Sequence, residues 1–119
     1  MKRLFFFFFL LLLAGCASET VSTGETKEFT LTARNWEFEP STITVNEGDT
    51  VVLHITGEDD GSGTGHGIAI PAFGVDKTFR NGESVDITFV ADRKGTFPFF
   101  CQVYCGEGHG DMKGTLIVQ

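Results

Sequence analysis

Five side chains that could bind a soft metal ion fall into two short parts of the chain. Gly65-His66-Gly67 supplies one imidazole, and residues 101–112 supply four more candidates at the spacing Cys-x3-Cys-x3-His-x2-Met: Cys101, Cys105, His109 and Met112. Thiolate, imidazole and thioether groups together select copper over hard cations. The spacing therefore predicts a copper site built from one loop and one distant histidine.

The same residues also permit three other kinds of site. A disulfide between the two cysteines suits an oxidising compartment, but it gives no role to His109 and Met112. A closed zinc site of two cysteines and two histidines leaves Met112 without a role. A mononuclear blue copper site needs one cysteine only and leaves Cys101 as a free thiol; its ligands would be His66, Cys105, His109 and Met112. The use of both cysteines favours two copper ions, and the blue copper site stays as the alternative.

From residue 28 onward the chain alternates apolar and polar residues in short runs, and no stretch has a convincing helical period. The runs lie at residues 29–33, 42–45, 51–56, 85–89 and 116–118. Turn-forming residues stand between them at 46–49 (Asn-Glu-Gly-Asp) and 80–83 (Arg-Asn-Gly-Glu). Many short strands within roughly 90 residues predict a β-sandwich or a small barrel.

The run Tyr104-Cys105-Gly106-Glu107-Gly108-His109 resembles the CuA domain of cytochrome c oxidase subunit II, and nitrous oxide reductase carries a related domain with a less similar loop. Residues 40–49 (Pro-Ser-Thr-Ile-Thr-Val-Asn-Glu-Gly-Asp) also resemble a cupredoxin second strand and turn. The resemblance covers residues 27–119 and implies an all-β, cupredoxin-like Greek-key β-sandwich over 28–119. It also implies electron transfer, with a cytochrome c-like donor and a haem-copper oxidase as partners. The chain departs from that family in showing no transmembrane helix before the domain.

Carried over residue by residue, the resemblance implies a binuclear CuA centre. Two thiolates would bridge two copper ions, two imidazoles would bind one ion each, and two weak axial ligands would complete the site: Cys101 and Cys105, His66 and His109, and Met112 with the backbone carbonyl of Val103. Many oxidase subunits carry a glutamate at the position of Val103. Because the carbonyl group is the ligand there, this difference does not remove a ligand.

The first 27 residues predict export and a lipid anchor. Residues 1–15 read as a signal peptide, with Lys2 and Arg3 followed by ten apolar residues. At ~1.5 Å per residue those ten span only about half of a ~30 Å hydrocarbon core. Leu-Ala-Gly-Cys at 13–16 resembles a lipobox, which makes Cys16 the acylated first residue of the mature chain; a chance cysteine after an ordinary signal is the alternative. Residues 16–27 are polar and predict a flexible tether, so we expect an extracytoplasmic, membrane-anchored lipoprotein.

The charge of the chain narrows the class of partner. The formal net charge is −7, and removal of Lys2 and Arg3 with the signal leaves 7 basic against 16 acidic residues, a net charge of −9. Nucleic acid is disfavoured, because phosphate binding requires clustered lysine and arginine. A basic protein partner fits this charge, and so does solubility alone.

The remaining candidates have less specific interpretations. His54 alternates with apolar neighbours, which predicts an exposed strand histidine and not a ligand. Trp36 and Phe73 are predicted to be core residues, with an electron-entry patch as the alternative. The Gly- and Asp-rich stretch at 57–65 lacks EF-hand spacing and predicts a loop and not a calcium site. No nucleophile–base pair is evident, so we expect an electron carrier or the electron-entry module of an oxidase, with a copper-delivery protein as the alternative.

Overall fold

Nine β-strands form two sheets in the computed structural model, which describes residues 24–58 and 65–119. The strands are β1 (Thr26–Arg34), β2 (Glu37–Glu39), β3 (Thr42–Val45), β4 (Thr50–Gly57), β5 (His66–Ile70), β6 (Val75–Phe79), β7 (Ser84–Val90), β8 (Gly95–Phe100) and β9 (Lys113–Val118). Two 3-10 turns, Pro71–Phe73 and His109–Asp111, are the other regular elements in the described residues. The predicted signal peptide, Cys16 and residues 59–64 lie outside them.

The two sheets face each other with a single core between them. One sheet has the order β2-β1-β4-β7 and the other β3-β9-β8-β5-β6. The pairs β1–β4 and β3–β9 are parallel, and the other paired strands are antiparallel. This architecture confirms the predicted all-β, cupredoxin-like sandwich.

The period-2 pattern of the sequence explains which face of each strand enters the core. In β4 the side chains of Val51, Leu53 and Ile55 are buried, whereas their neighbours are only partly covered. Phe38 and Phe99 come from the two sheets and meet edge to face at 5.3 Å between ring centroids. Each fully buried side chain of this kind contributes roughly 1.5–3 kcal/mol, so the core supports the strand ends that carry the site.

The predicted turns are present, and glycine supplies the backbone conformation that they need. Gly48 has φ of 90°, and its N–H donates to the carbonyl of Ala91. Gly82 has φ of 79°, next to a hydrogen bond from the N–H of Glu83 to the carbonyl of Arg80 at 3.0 Å. A side chain at such a positive φ is disfavoured, which explains why both turns contain glycine.

A buried carboxylate fixes the start of β1 at the pole where the described chain begins. Asp49 is 2% exposed and accepts hydrogen bonds from Lys27 Nζ at 2.8 Å and from the backbone N–H groups of Asn46 and Glu25. The Lys27 ammonium group, followed by these backbone donors, lowers the pKa of Asp49 below its ordinary value. This polar anchor lets β1 begin at Thr26, two residues before the boundary that apolar alternation suggests.

His54 lies on the outer face of the first sheet, as predicted. Its side chain is 42% exposed, and its ring nitrogens face the carboxylates of Asp86 at 2.6 Å and Glu28 at 3.3 Å. The hydrogen bond with Asp86, and then the one with Glu28, raises the pKa of His54.

Within residues 24–58 and 65–119, no helix has both the length and the apolar character that a membrane span requires.

Candidate metal centre

Three strand ends meet at one pole of the sandwich and position the candidate ligands. His66 is the first residue of β5, Cys101 directly follows β8, and Met112 directly precedes β9. The loop of residues 101–112 connects two adjacent antiparallel strands. At its base the N–H of Cys101 donates to the carbonyl of Met112 at 3.0 Å. The β8–β9 ladder therefore holds both ends of the loop.

The sulfur and nitrogen atoms of the candidates converge on one point. The Sγ atoms of Cys101 and Cys105 lie 3.5 Å apart, and these two atoms and a ring nitrogen of His66 all lie within 4.8 Å of one another. Cys105 Sγ is 3.4 Å from Nδ1 of His109 and 3.8 Å from Sδ of Met112. Ligand atoms bound to one tetrahedral ion at roughly 2.0–2.3 Å lie roughly 3–4 Å apart. The donor set therefore fits the dimensions of a soft-metal site.

The other cysteine sulfur has neighbours of its own. The carbonyl oxygen of Val103 lies 3.1 Å from Cys101 Sγ, and the backbone N–H of Gly67 donates to the same sulfur at 3.4 Å. His109 and Met112, by contrast, lie next to Cys105. Each cysteine sulfur therefore has polar or sulfur atoms of other residues next to it, and both thiols lie inside the cluster of candidate ligands.

The loop brings His109 and Met112 to the same side through a tight 3-10 turn. Gly106 has φ of 124°, and its carbonyl accepts the N–H of His109 at 3.1 Å. The N–H of Met112 then donates to the carbonyl of His109 at 3.2 Å. Residues three apart in a 3-10 turn lie on the same face. The His-x2-Met spacing therefore places imidazole and thioether together.

Burial differs between the two sides of the site. His66, Cys101 and Met112 are almost fully buried, at 1%, 3% and 1% exposure. His109 is only partly buried, and its ring contacts the exposed Tyr104, with 5.7 Å between the ring centroids. The side chains on the His66 side are thus enclosed by protein, while the His109 side approaches the surface.

Trp36 packs against the ligand loop, a role that the sequence did not reveal. Its indole Nε1–H donates to the carbonyl of Cys105 at 3.0 Å. A Cβ atom added at Gly106 or Gly108 would lie 2.9 or 2.4 Å from the indole ring. The two loop glycines therefore provide the space for Trp36. Their Gly-x-Gly spacing was the available signal, but it did not indicate which aromatic residue would fill the gap.

The structure thus brings all six predicted ligand positions together and separates two other candidates from them. Phe73 follows the far end of β5 from His66 and packs on Phe89 and Phe97, with ring centroids 5.2 and 5.0 Å away. It belongs to the core periphery at the opposite pole, and His54 lies on an outer sheet face. The assignment of each individual ligand to copper stays a prediction.

Most of the chain is similar to known proteins. Residues 3–118 match the family described as Cupredoxin-like domain. The chain is 28% identical to nitrous-oxide reductase from Ralstonia nicotianae over 86% of this chain and 16% of that protein. It is 29% identical to cytochrome c oxidase subunit 2 from Thermus thermophilus over 69% of this chain and 58% of that protein. A solved structure of a haem-copper terminal oxidase dimer aligns with a TM-score of 0.68 and 25% identity, covering 78% of this chain and 65% of that chain.

These relatives are larger than the chain. It spans about a sixth of the reductase (16%) and 58% of the oxidase subunit. The similarity therefore covers only part of each of those proteins.

Proposed function

The chain belongs to the cupredoxin-like domain family, and from this premise we propose that it transfers electrons through a binuclear copper centre of the CuA kind. The observation that carries the proposal is the pair of thiols 3.5 Å apart, with further donors next to each sulfur. Two soft sulfur atoms at this separation can bridge two ions, whereas a single blue copper ion uses one.

The resemblance to the CuA domain implies the ligand roles, and the positions of the side chains fit them. The thiolates of Cys101 and Cys105 would bridge the pair, and the imidazoles of His66 and His109 would bind one ion each. The carbonyl of Val103 lies on the Cys101 side and the thioether of Met112 on the Cys105 side. The two weak ligands that the resemblance implies would therefore lie next to different sulfurs.

When bound, the copper pair supplies one-electron redox chemistry in which the electron is shared by both ions. The protein contributes two things to it. Burial of His66, Cys101 and Met112 lowers the local polarity, which tunes the potential. The β8–β9 ladder and Trp36 hold the loop, so the ligands move little when the charge changes.

The enclosure of the site argues for electron transfer over copper delivery. A delivery protein needs exposed ligands that release the ion, but three of the candidates here are at most 3% exposed. The oxidase relatives suggest an electron-entry role, with a cytochrome c-like donor and a haem-copper oxidase as acceptor. An electron would enter or leave the site on the side of His109, which is partly exposed.

Electron exchange without metal loss is the expected behaviour of the copper-loaded protein. Reduction by a soluble electron donor and reoxidation by an acceptor should be repeatable through many cycles at constant copper content. The measurement is optical spectroscopy of each cycle, followed by metal analysis of the protein after gel filtration. Transfer of the copper to a competing apo-protein upon reduction would instead support the delivery function.

Met112→Leu is expected to keep the fold and both copper ions while shifting the reduction potential. Leucine has a similar volume, and such exchanges usually cost less than about 1.5 kcal/mol of stability. The lost thioether is a weak ligand, so its removal tunes the centre and does not dismantle it. Copper analysis, thermal unfolding and a redox titration check these three outcomes. Loss of one copper ion from this variant would show that Met112 binds strongly, as in a site with fewer ligands.

We further propose that the domain is exported and held on the membrane by a lipid on Cys16. The support is the apolar segment after Lys2 and Arg3 and the Leu-Ala-Gly-Cys run at 13–16. Two or three acyl chains hold a protein on a membrane stably, whereas one chain does not.

Cys16→Ala is expected to abolish acylation, leaving either unprocessed precursor or released protein. The wild-type chain should partition into the membrane fraction and incorporate a labelled fatty acid. Fractionation and labelling of both proteins in a bacterial host test this, with Cys101→Ala as a control that should leave the membrane fraction unchanged. If Cys16→Ala is processed and localised like the wild type, the anchor proposal is wrong.

A further inference from the structure

The loop that carries the cysteines lies next to the strand that carries His66. The register of β5 with β8 pairs Ala69 with Phe100, directly before Cys101. Beyond that pair, the N–H of Gly67 donates to Cys101 Sγ. Side-chain contacts therefore also contribute to the separation between His66 and Cys101.

The side chain of Gln102 supplies a connection across β5. Its Nε2 donates to the carbonyl oxygen of Lys77 at 3.0 Å and to the carboxylate of Asp76, both on β6. Since β5 lies between β8 and β6, the Gln102 side chain crosses over β5 to reach these acceptors. It crosses at Gly67, where an added Cβ would lie 2.2 Å from Gln102 Oε1. Gly67 thus provides the passage for this side chain.

Gly67 is also the residue that contacts the thiol. Its N–H donates to Cys101 Sγ at 3.4 Å, and it directly follows His66. Hydrogen bonds to metal-bound sulfur raise the reduction potential, because they stabilise the negative charge on the sulfur. Gly67, which the Gln102 side chain covers, therefore connects His66 with Cys101.

We propose that Gln102 is a positioning residue: by tying the ligand loop to β6 across Gly67, it holds the Gly67 N–H against Cys101 Sγ and fixes the separation of Cys101 from His66. The inference rests on the proposed copper function, which it deepens. In this proposal, the hydrogen bond between the Gly67 N–H and Cys101 Sγ depends on the Gln102 side chain, which binds no metal itself. The amide group of Gln102, and not its bulk, is the part that acts.

Gln102→Met separates this role from a purely structural one. Methionine has a similar length and can still lie over Gly67, but it makes neither hydrogen bond to β6. It also removes the Gln102 Oε1 atom, which is buried without a hydrogen-bond partner in the described part of the chain. A buried acceptor of this kind is costly, so its removal offsets the loss of the two hydrogen bonds. We therefore expect little change in thermal stability together with a changed metal site.

The experiment compares Gln102→Met and the wild type in three measurements: copper affinity by competition titration, reduction potential, and the Gly67 amide proton shift by NMR in the metal-free and reduced proteins. We expect about 10-fold weaker copper binding, as is typical when a group that orients metal ligands is lost, together with a lower reduction potential and an upfield shift of the Gly67 amide proton. Gly110→Ala is the matched control in the same loop. A Cβ there meets no atom within 4 Å, so all three quantities should stay at the wild-type values.

A double variant tests whether Gly67 and Gln102 act together. Gly67→Ala alone should displace the Gln102 side chain and weaken copper binding, whereas in a Gln102→Ala background the added methyl group should cost no further affinity. Unchanged affinity, potential and Gly67 shift in Gln102→Met would overturn the proposal, as would additive losses in the double variant. If the wild type fails to bind copper, the proposed function fails; the Gly67 shift in metal-free protein still decides the role of Gln102.

Discussion

Cys101→Ser is expected to reduce the copper content from two ions per chain to one. Without its sulfur there is no second bridge, while Cys105 Sγ keeps His109 Nδ1 at 3.4 Å and Met112 Sδ at 3.8 Å. Together with His66 these residues form the ligand set of a blue copper site. The variant should therefore show a mononuclear copper spectrum. Metal analysis and EPR on the purified domain measure both effects.

Cys105→Ser is the matched comparison because it removes one thiol from the same pair. It removes the sulfur that lies next to His109 and Met112. The remaining thiol, that of Cys101, lies next to the carbonyl of Val103 and the N–H of Gly67. We expect it to form a blue copper site less cleanly or to lose copper altogether. A Cys101→Ser protein that keeps a binuclear signal like the wild type would show that Cys101 is not a ligand.

Trp36→Ala is expected to weaken copper binding by about 10–100-fold, the usual effect of losing a group that orients metal ligands. The change removes the hydrogen bond to the Cys105 carbonyl and the indole ring against which Gly106 and Gly108 lie. The loop then gains conformations in which the donors no longer converge, and ordering them again costs free energy. Competition titration with a copper chelator measures the affinity. The copper affinity of Trp36→Phe should lie between those of the wild type and Trp36→Ala, because phenylalanine keeps an aromatic ring but lacks the N–H donor.

Phe73→Ala provides the control for loss of an aromatic side chain. Phe73 is partly buried like Trp36, but it packs on Phe89 and Phe97 at the other pole. Large-to-small changes at fully buried aromatic sites cost roughly 3–5 kcal/mol. Because Phe73 is only partly buried, this variant should lose less stability than that and retain wild-type copper affinity. Equal losses of affinity in Phe73→Ala and Trp36→Ala would mean that Trp36 supports the fold in general and not the ligand loop.

The elements of the sandwich were predictable because their signals are local. Alternation in β4 predicts which side chains enter the core, and Asn-Glu-Gly-Asp at 46–49 predicts a turn in which Gly48 adopts a positive φ. The ligand candidates were predictable for the same reason, since four of the five lie within twelve residues. His54 on the outer face also follows directly from alternation.

The contacts that support the loop were not predictable, because they join residues far apart in sequence. Trp36 reaches Cys105 across 69 positions, and Gln102 reaches Asp76 across 26. Neither contact has a periodic signature, and each depends on glycines whose function is to leave space. The start of β1 at Thr26 was missed for a related reason: it depends on the polar anchor at Asp49 and not on apolar alternation.

EPR of the oxidised wild-type domain, together with copper analysis, tests the central claim most directly. Two copper ions per chain and hyperfine splitting from one unpaired electron shared equally by two copper nuclei are the result that we predict. The protein should be prepared from residue 17 onward so that the third cysteine is absent. One copper ion per chain with the spectrum of a blue copper protein would contradict the binuclear assignment and leave the chain as a mononuclear electron carrier.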